Sequence, residues 1–398
     1  MNLLQKIAKK ENLFLAWSRI NQKPRSHGID NETIQSFKEN LYLNIKNINK
    51  SLLAGGYHFS PYKGQKLEKK GKTRILKIPT VKDRIVQRAI RNVIEKRFTS
   101  DFLECSFGYI ERLGIKDAVE KILKFKDDGN YIVLEADIQK FFDTVDKEKL
   151  FALIMNKFKK DSGIEKLLRE ALNSEIGNPE IFNYTEIEGL NNSEIGIPQG
   201  GILSPLFANI YLSDFDKKIL ATGYKLIRYA DDFIVLCKSK EEAKAAHVLC
   251  KEILEGELYL KLHPLDNSST AKTRISDFKQ GFKYLGIQFG YDYICPSEPS
   301  RNNFKNRIEE LTNYNKVSSL VGNFKELSLV IYGWGNVYNY CKNQKTREIF
   351  MALDEYVLKR INLLLKELYF LSKTYYLSNR QLDLLKIPKL INILDKAQ

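Results

Sequence analysis

The chain has 398 residues, enough for two or three packed subdomains. Its 64 Lys and Arg residues outnumber its 49 Asp and Glu residues, and the formal net charge of +15 favours a polyanionic partner, by default nucleic acid, over a basic surface that serves only solubility. Five scattered cysteines without a CxxC pair and only four histidines argue against a zinc site, a disulfide framework or a His-based metal site.

The N-terminal part of the chain predicts basic helices and one pair of strands. The apolar run of residues 1–11 is too short for a signal peptide, and the segment instead predicts an amphipathic helix. No stretch of the sequence is long and apolar enough to cross a bilayer, so we expect a cytoplasmic protein without a membrane partner. The strand pair is predicted around Leu67 and Ile75, and a solvated turn is one interpretation of the basic run Lys66–Lys72.

From about residue 111 to 296, helical and strand patterns alternate in the manner of an α+β fold. An apolar run over residues 131–136 predicts a strand that leads directly into Asp137. Two further acidic residues, Asp143 and Asp146, are expected to cap the helix that follows.

Two loops are predicted in the middle of this region. Residues 164–193 contain Gly177-Asn178-Pro179 and predict a loop or a hairpin. Residues 196–212 begin with a loop rich in Pro and Gly and continue as an apolar helix. Such a loop leaves the backbone free to approach a ligand closely.

The strongest local signal is an acidic pair, Asp231 and Asp232, between two runs of strand-forming residues, 224–228 and 233–237. This pattern predicts a β-hairpin with the carboxylates at its tip. A solvated turn is the alternative for the pair alone, but adjacent carboxylates repel each other and oxygen ligands suit Mg²⁺. Together with Asp137 at a strand end, they predict a site for two metal ions that activates a 3′-hydroxyl and steadies leaving pyrophosphate.

These motifs, in this order, resemble those of the reverse transcriptases, and among them the bacterial group II intron-like branch. The resemblance covers roughly residues 10–345. The matching segments are the fingers segment 71–87, Cys105-Ser106-Phe107-Gly108-Tyr109, the Asp137 segment (motif A), Pro198-Gln199-Gly200 (motif B), Tyr229-Ala230-Asp231-Asp232 (motif C), Ala271-Lys272-Thr273 (motif D), the primer grip Phe282-Lys283-Tyr284-Leu285-Gly286 and a Gly333-Trp334 signature.

The resemblance implies an α+β, right-hand polymerase fold. Residues 1–110 would form the fingers with an N-terminal extension, residues 111–296 the palm with an antiparallel sheet, and residues 297–398 a helical thumb with a short tail. Beyond Pro296 and Pro299, Leu and Ile recur at helical spacings up to Leu385, as a helical thumb requires.

The resemblance also implies the roles of individual residues. Asp137, Asp231 and Asp232 would be catalytic and would hold two Mg²⁺ ions, for which Mn²⁺ can substitute, with the carbonyl of Ile138 as an extra ligand. The dNTP-binding residues would be Lys69, Arg74, Phe142, Gln199 and Lys272, and the primer and template contacts Tyr229, Tyr284 and Gly286.

Each assignment has a chemical reason and a plainer alternative. Arg74 has a planar fork that suits phosphate, whereas Lys69 also fits a solvated turn. Phe142 would exclude a 2′-hydroxyl, although one ring of the pair Phe141 and Phe142 is expected to be ordinary core. The Gln199 amide can donate and accept, and Lys272 is either a general acid for pyrophosphate or a surface lysine.

The sequence therefore predicts an RNA-directed DNA polymerase that adds dNTPs to a DNA primer on an RNA template. The favoured role is copying a dedicated, structured non-coding RNA in antiphage defence, because the tail of about 60 residues after the Gly-Trp signature is short and lacks a strong basic cluster. A minimal group II intron reverse transcriptase and maturase is the first alternative. An RNA-binding scaffold with a vestigial polymerase site is the second. The sequence leaves the oligomeric state open.

Overall fold

A computed structural model describes residues 2–21, 27–69, 72–158, 162–173, 175–183, 194–266, 268, 271–317, 319–372 and 380. The chain divides into two compact units, residues 1–275 and 276–398. Helices and antiparallel sheets are mixed within the described parts, which confirms the α+β class. No described helix is long and apolar enough to span a membrane.

The N-terminal segment contains two helices where the sequence predicted one. Lys9 takes an extended ψ of 130° and so ends the first helix before the second begins. The buried side chains of Ile7, Leu13 and Trp17 join the main core of the first unit. The four N-terminal helices are α1 (Leu3–Ala8), α2 (Lys10–Ile20), α3 (Ile34–Glu39) and α4 (Leu41–Leu53).

The predicted strand pair is confirmed as an antiparallel hairpin of β1 (Lys63–Lys69) and β2 (Lys72–Ile78). In its register Leu67 lies opposite Arg74. The hairpin leads into α5 (Val81–Phe98), whose first turn is capped by the side chain of Thr80.

Asp83 fixes this hairpin to the core. Its buried carboxylate accepts hydrogen bonds from the Tyr57 hydroxyl at 2.7 Å, the Ser60 backbone N–H at 3.1 Å and the Thr80 hydroxyl at 2.7 Å. Tyr57 and Ser60 precede β1, whereas Thr80 and Asp83 begin α5. The carboxylate therefore ties both ends of the hairpin to one point.

The central sheet carries the predicted acidic residues. It has four strands in the order β4–β5–β3–β6, and both β3 and β4 run antiparallel to β5. Val133 and Leu134 of β3 and all five residues 233–237 of β5 are fully buried. Because successive residues of a strand point to opposite faces, both faces of the sheet are covered at β5. The strands are β3 (Ile132–Asp137), β4 (Lys225–Tyr229), β5 (Asp232–Cys237) and β6 (Arg274–Asp277).

The prediction of a loop over residues 164–193 is wrong in its first part. Residues Ile164, Leu167, Leu168 and Ala171 recur at helical spacing, and all four are buried against the core. Residues 184–193 lie outside the described part. The remaining helices of this unit are α6 (Ile115–Asp127), α7 (Phe141–Thr144), α8 (Lys147–Asn156), α9 (Ser162–Leu172), a 3₁₀ turn (Pro179–Ile181), α10 (Ser204–Ala221), α11 (Lys240–Lys251) and a π-helical turn (Glu252–Glu257).

The second unit confirms the predicted long helices. Its core contains Phe304, Ile308, Leu327, Leu353 and Val357, which are contributed by three helices. A small antiparallel sheet precedes them. The elements are β7 (Phe282–Tyr284), β8 (Ile287–Phe289), β9 (Ile294–Pro296), α12 (Glu298–Leu311), α13 (Leu320–Tyr338) and α14 (Gln344–Ser372).

We predict that Asp83→Ala lowers the free energy of unfolding by about 2–5 kcal/mol, because two buried hydroxyl donors and one partly buried backbone N–H lose their acceptor. The measurement is urea denaturation followed by circular dichroism. Asp214→Ala is the matched control: its half-exposed carboxylate forms a surface ion pair with Lys217, so the change should cost less than about 1 kcal/mol. Equal losses for the two variants would contradict the anchoring role of Asp83.

Candidate functional site

The predicted acidic hairpin is confirmed. Strands β4 and β5 are joined by the two-residue loop Ala230–Asp231, and Tyr229 pairs with Asp232 at its base. Ala230 takes a left-handed backbone conformation with φ of 62°, which costs a residue with a Cβ roughly 1–2 kcal/mol. The surrounding structure therefore holds this turn in a conformation that alanine does not favour.

The register between β3 and β5 places Asp137 directly opposite Asp232. Directly opposed residues of antiparallel strands point to the same face of the sheet, and their Cβ atoms lie about 4.5–5.5 Å apart. With Asp231 in the adjoining turn, the fold brings together the three carboxylates that the sequence singled out.

The proximity of these carboxylates changes their acidity. Loss of hydration, followed by the negative charge of Asp137, raises the pKa of Asp231. Asp232 reaches solvent, but the protein around it weakens its hydration, and the charges of Asp137 and Asp231 add to the effect, so that its pKa rises to about 7. The site therefore gains from a positive charge placed between the carboxylates.

A lysine supplies positive charge to this site in the structure. The ammonium group of Lys272 donates to Oδ2 of Asp137 and lies 3.0 Å from Nε2 of His263. His263 Nε2 is 3.6 Å from the same carboxylate oxygen. Lys272 is thus an exposed lysine that contacts the acidic site.

Across the described residues, no group of three or more His, Cys, Asp or Glu side chains is arranged to hold a metal ion. The chemistry of the donors nevertheless fits a hard divalent cation, because neighbouring carboxylates repel each other there and offer the oxygen ligands that such a cation prefers. Ile138 follows Asp137 with a buried side chain, and its backbone forms a bridge with Leu262.

The loop that contains Gln199 is tied to two other parts of the site. The Gln199 carbonyl accepts a hydrogen bond of 2.8 Å from the Lys77 N–H in β2. The Ile197 N–H donates to the Phe142 carbonyl at 2.7 Å. Gly200 has φ of 108°, and a Cβ there would lie 3.0 Å from the Lys77 carbonyl oxygen, so the close approach requires glycine. The half-exposed Gln199 side chain is therefore carried on a fixed backbone.

The two aromatic residues after Asp137 differ in burial, as expected. Phe141 is buried in the core, whereas Phe142 is only partly buried and packs edge-on against Phe141 at 5.4 Å. Asp146 caps α8 by accepting from the Lys149 N–H at 2.8 Å, which confirms the prediction for that residue. The same prediction is wrong for Asp143, which lies within α7 rather than at a helix N-cap.

The two basic residues assigned to the fingers lie in the β1–β2 hairpin. Arg74 is exposed on β2, and its charge opposes the rise in the pKa of Asp231. The backbone of Lys69 ends β1, but its side chain lies outside the described part of the chain.

The residues assigned to the primer occupy both units. Tyr229 is half-buried at the end of β4. Tyr284 is buried in β7 of the second unit. Gly286 has φ of 80°, and a Cβ there would lie 3.0 Å from the Ser300 hydroxyl, so only glycine fits this turn without strain.

Three residues at the site escaped the sequence analysis. His263 contacts Lys272, and Arg274 forms a two-pronged ion pair with Glu135 at 2.9 and 2.8 Å. Glu135 lies two residues before Asp137 on the same face of β3, and its negative charge contributes to the raised pKa of Asp232. An isolated histidine and a strand carboxylate carry no motif, so only the fold could identify them.

Comparisons with known proteins give one family. A sequence model described as reverse transcriptase (RNA-dependent DNA polymerase) matches residues 63–289. Protein YkfC of Escherichia coli is 27% identical over 300 residues, which cover 65% of this chain and 74% of YkfC. The group II intron-encoded protein LtrA of Lactococcus lactis is 33% identical over 216 residues, or 54% of this chain. The chain spans only 34% of the length of LtrA.

Among solved structures, a partial Cas6-RT-Cas1–Cas2 complex is 27% identical and aligns with a TM-score of 0.40 over 65% of this chain and 42% of its own. Apo telomerase from Candida tropicalis is 14% identical, with a TM-score of 0.45 over 83% of this chain and 67% of its own.

We predict that the metal-free protein loses stability as the pH rises from about 4 to 7, and that Asp232→Asn reduces this loss. The folded protein holds a proton on Asp232 up to a pKa of about 7, whereas the unfolded chain releases it near 4. The folded state therefore binds more protons in this window, and stability falls as they leave. Thermal unfolding at pH 5 and pH 7, with and without a divalent cation, measures the effect. The same pH dependence in the variant would contradict the assignment.

Proposed function

The chain belongs to the reverse transcriptase family, and from this premise we propose that it extends a DNA primer with dNTPs while it copies an RNA template. The observation that carries the proposal is the β3–β5 register, which sets Asp137 opposite Asp232 beside the Asp231 turn. A protein that only binds RNA has no physical need for crowded carboxylates.

The family uses divalent metal ions, and we assign two Mg²⁺ ions to this site, with Mn²⁺ as a substitute. When bound, such ions activate the primer 3′-hydroxyl and neutralise charge on the triphosphate. Asp137 and Asp231 would hold both ions, with Asp232 and the Ile138 carbonyl as additional ligands. Because Lys272 contacts Oδ2 of Asp137, it would have to release that oxygen before both oxygens of the carboxylate could serve as ligands.

The incoming nucleotide would be held by the residues around the acidic site. Arg74 and Lys69 would bind the triphosphate oxygens, and the released Lys272 would donate a proton to pyrophosphate. Gln199 would contact the nucleotide from its fixed loop. Phe142, whose ring is only partly buried, would lie beneath the sugar and exclude a 2′-hydroxyl.

The primer and its duplex would contact the rest of the chain. Tyr229 would pack at the primer terminus, and Tyr284 and Gly286 would approach the primer backbone. In this proposal residues 1–110 act as fingers, residues 111–296 as palm and residues 297–398 as thumb.

For the biological role we favour the copying of a dedicated, structured non-coding RNA in antiphage defence, in the cytoplasm. The alternative of an intron reverse transcriptase and maturase is supported by the likeness to the intron-encoded protein LtrA. Intron RNA domains on both sides of the gene would favour that alternative, whereas a structured RNA without splice sites would favour defence.

We predict that the double variant Asp231→Ala, Asp232→Ala loses DNA synthesis by at least a thousandfold and keeps RNA binding within about threefold. Binding rests mainly on Lys and Arg contacts to phosphate rather than on these carboxylates. Sequencing of the RNA and DNA that co-purify with each protein gives the readout. One RNA should appear in both samples, and its complementary DNA only with the native protein. Synthesis by the double variant would overturn the proposal.

We predict that Phe142→Val lets the enzyme incorporate ribonucleotides, because the smaller side chain leaves room for a 2′-hydroxyl. The ratio of kcat/KM for dNTP over rNTP should fall by at least tenfold. Primer extension with single nucleotides measures this ratio. Phe141→Leu is the control, since that ring is buried in the core, and it should leave the ratio unchanged.

A further inference from the structure

A charged residue with no role in the assignments above lies immediately behind the acidic turn. Arg228 precedes Tyr229 in β4, and its side chain is fully buried. Its Nη1 donates to the Ala230 carbonyl at 2.8 Å. This carbonyl belongs to the residue whose left-handed conformation shapes the turn.

The guanidinium is held from its other side by helix α10. Nε and Nη2 of Arg228 donate to the two carboxylate oxygens of Asp216 at 2.7 and 2.5 Å. Nη1 also donates to the Asn209 side-chain oxygen at 2.9 Å. Both helix residues are about 1% exposed, so water does not compete for these bonds. The planar fork of arginine is thereby fixed in one orientation.

The backbone of Arg228 is fixed as well. Its N–H donates to the Cys105 carbonyl at 2.7 Å, and its carbonyl accepts from the Phe107 N–H at 2.9 Å. Asn209 closes the arrangement by donating from its side chain to the Gly108 carbonyl at 2.9 Å. The loop 105–108, helix α10 and the hairpin are thus joined through one buried group.

The same loop lies in close contact with the Ala230 turn. A Cβ added to Gly108 would lie 2.9 Å from the carbonyl carbon of Tyr229 and closer still to the Ala230 nitrogen. The backbone of Gly108 therefore covers the turn from one side, while the Arg228 guanidinium holds the Ala230 carbonyl.

We propose that Arg228, oriented by Asp216 and Asn209, is a positioning residue that fixes the Ala230 turn and hence the catalytic carboxylates of Asp231 and Asp232. The inference rests on the proposed polymerase function. It assigns Arg228 no contact with substrate or metal. Its contribution is the bond to the Ala230 carbonyl, which acts on the geometry of the site and not only on the stability of the core.

The effect of Arg228 on folding stability can be separated from its effect on the geometry of the site. A buried ion pair can often be replaced by apolar residues without loss of stability, whereas removal of one partner leaves a buried charge unpaired. Arg228→Ala is therefore a poor test, since the protein can fail to fold. The double variant Arg228→Met, Asp216→Leu keeps an apolar core of similar volume and removes the donor to Ala230. Arg228→Lys keeps the charge but lacks the fork that contacts Asp216, Asn209 and Ala230 together.

The experiment measures three quantities for each full-length variant: the melting temperature, the Kd for a template–primer duplex, and kcat as a function of Mg²⁺ concentration. We expect both variants to bind template–primer within threefold of the native protein. We expect kcat to fall by at least thirtyfold and the Mg²⁺ concentration at half-maximal rate to rise by at least threefold. The apolar double variant should show this loss even with a native melting temperature.

Ile219→Ala is the matched control, because Ile219 is a fully buried residue of the same helix whose apolar side chain has no donor for the Ala230 carbonyl. It should lower the melting temperature without a change in the Mg²⁺ midpoint. A stable Met/Leu variant with native kcat and Mg²⁺ midpoint would overturn the positioning role while leaving the polymerase assignment intact. Absence of synthesis by the native protein would instead refute the polymerase assignment.

Discussion

The acidic site of the first unit depends on one constraint, a strand register that holds three carboxylates together at the end of a buried sheet against their mutual repulsion. The β3–β5 register fixes Asp137 opposite Asp232, and the turn places Asp231 beside them. A slip of one residue would turn Asp137 to the opposite face of the sheet. Such a slip is unfavourable, because it would move the charged side chains of Glu135 and Asp137 to the face that the buried Leu134 and Ala136 now occupy.

Several surrounding features make sense as responses to this repulsion. Lys272 lies against Asp137, and Arg274 neutralises Glu135 on the next strand. Behind the turn, the ion pair of Arg228 and Asp216 is closed within the core and adds no charge to the accessible face. On the open side, the charge of Lys272 is exposed, whereas behind the turn the charge of Arg228 is fully buried and fixed by its hydrogen bonds. The first kind can yield to a ligand, and the second cannot.

Much of the acidic site could be predicted from the sequence, because local residue patterns determine its main elements. The strand into Asp137, the acidic hairpin and the loop before α10 follow from local patterns of apolar and turn residues, and each is confirmed. The N-terminal break at Lys9 was missed, because apolar spacing continues across it. Helix α9 was missed because glycine and proline after it dominated the interpretation of the whole stretch.

Residues that act through distant contacts were beyond sequence reasoning. His263 and Glu135 reach the site only because β3, β5 and the segment before β6 meet in space. Arg228 directly precedes the acidic motif in the sequence, but its place in a run of strand-forming residues indicated no role beyond that of a strand residue. Its burial and its partners on α10 depend on long-range packing, which no local pattern encodes.

The hydrogen bond between the Lys77 N–H and the Gln199 carbonyl has a mechanical consequence. Strand β2 carries Arg74 near one end and Lys77 near the other, and a strand transmits displacement along its length. Any tilt of the hairpin that keeps this bond must move the Gln199 backbone with it. A displacement of the hairpin is thus transmitted to the Gln199 loop, so the two segments to which we assign nucleotide contacts are coupled.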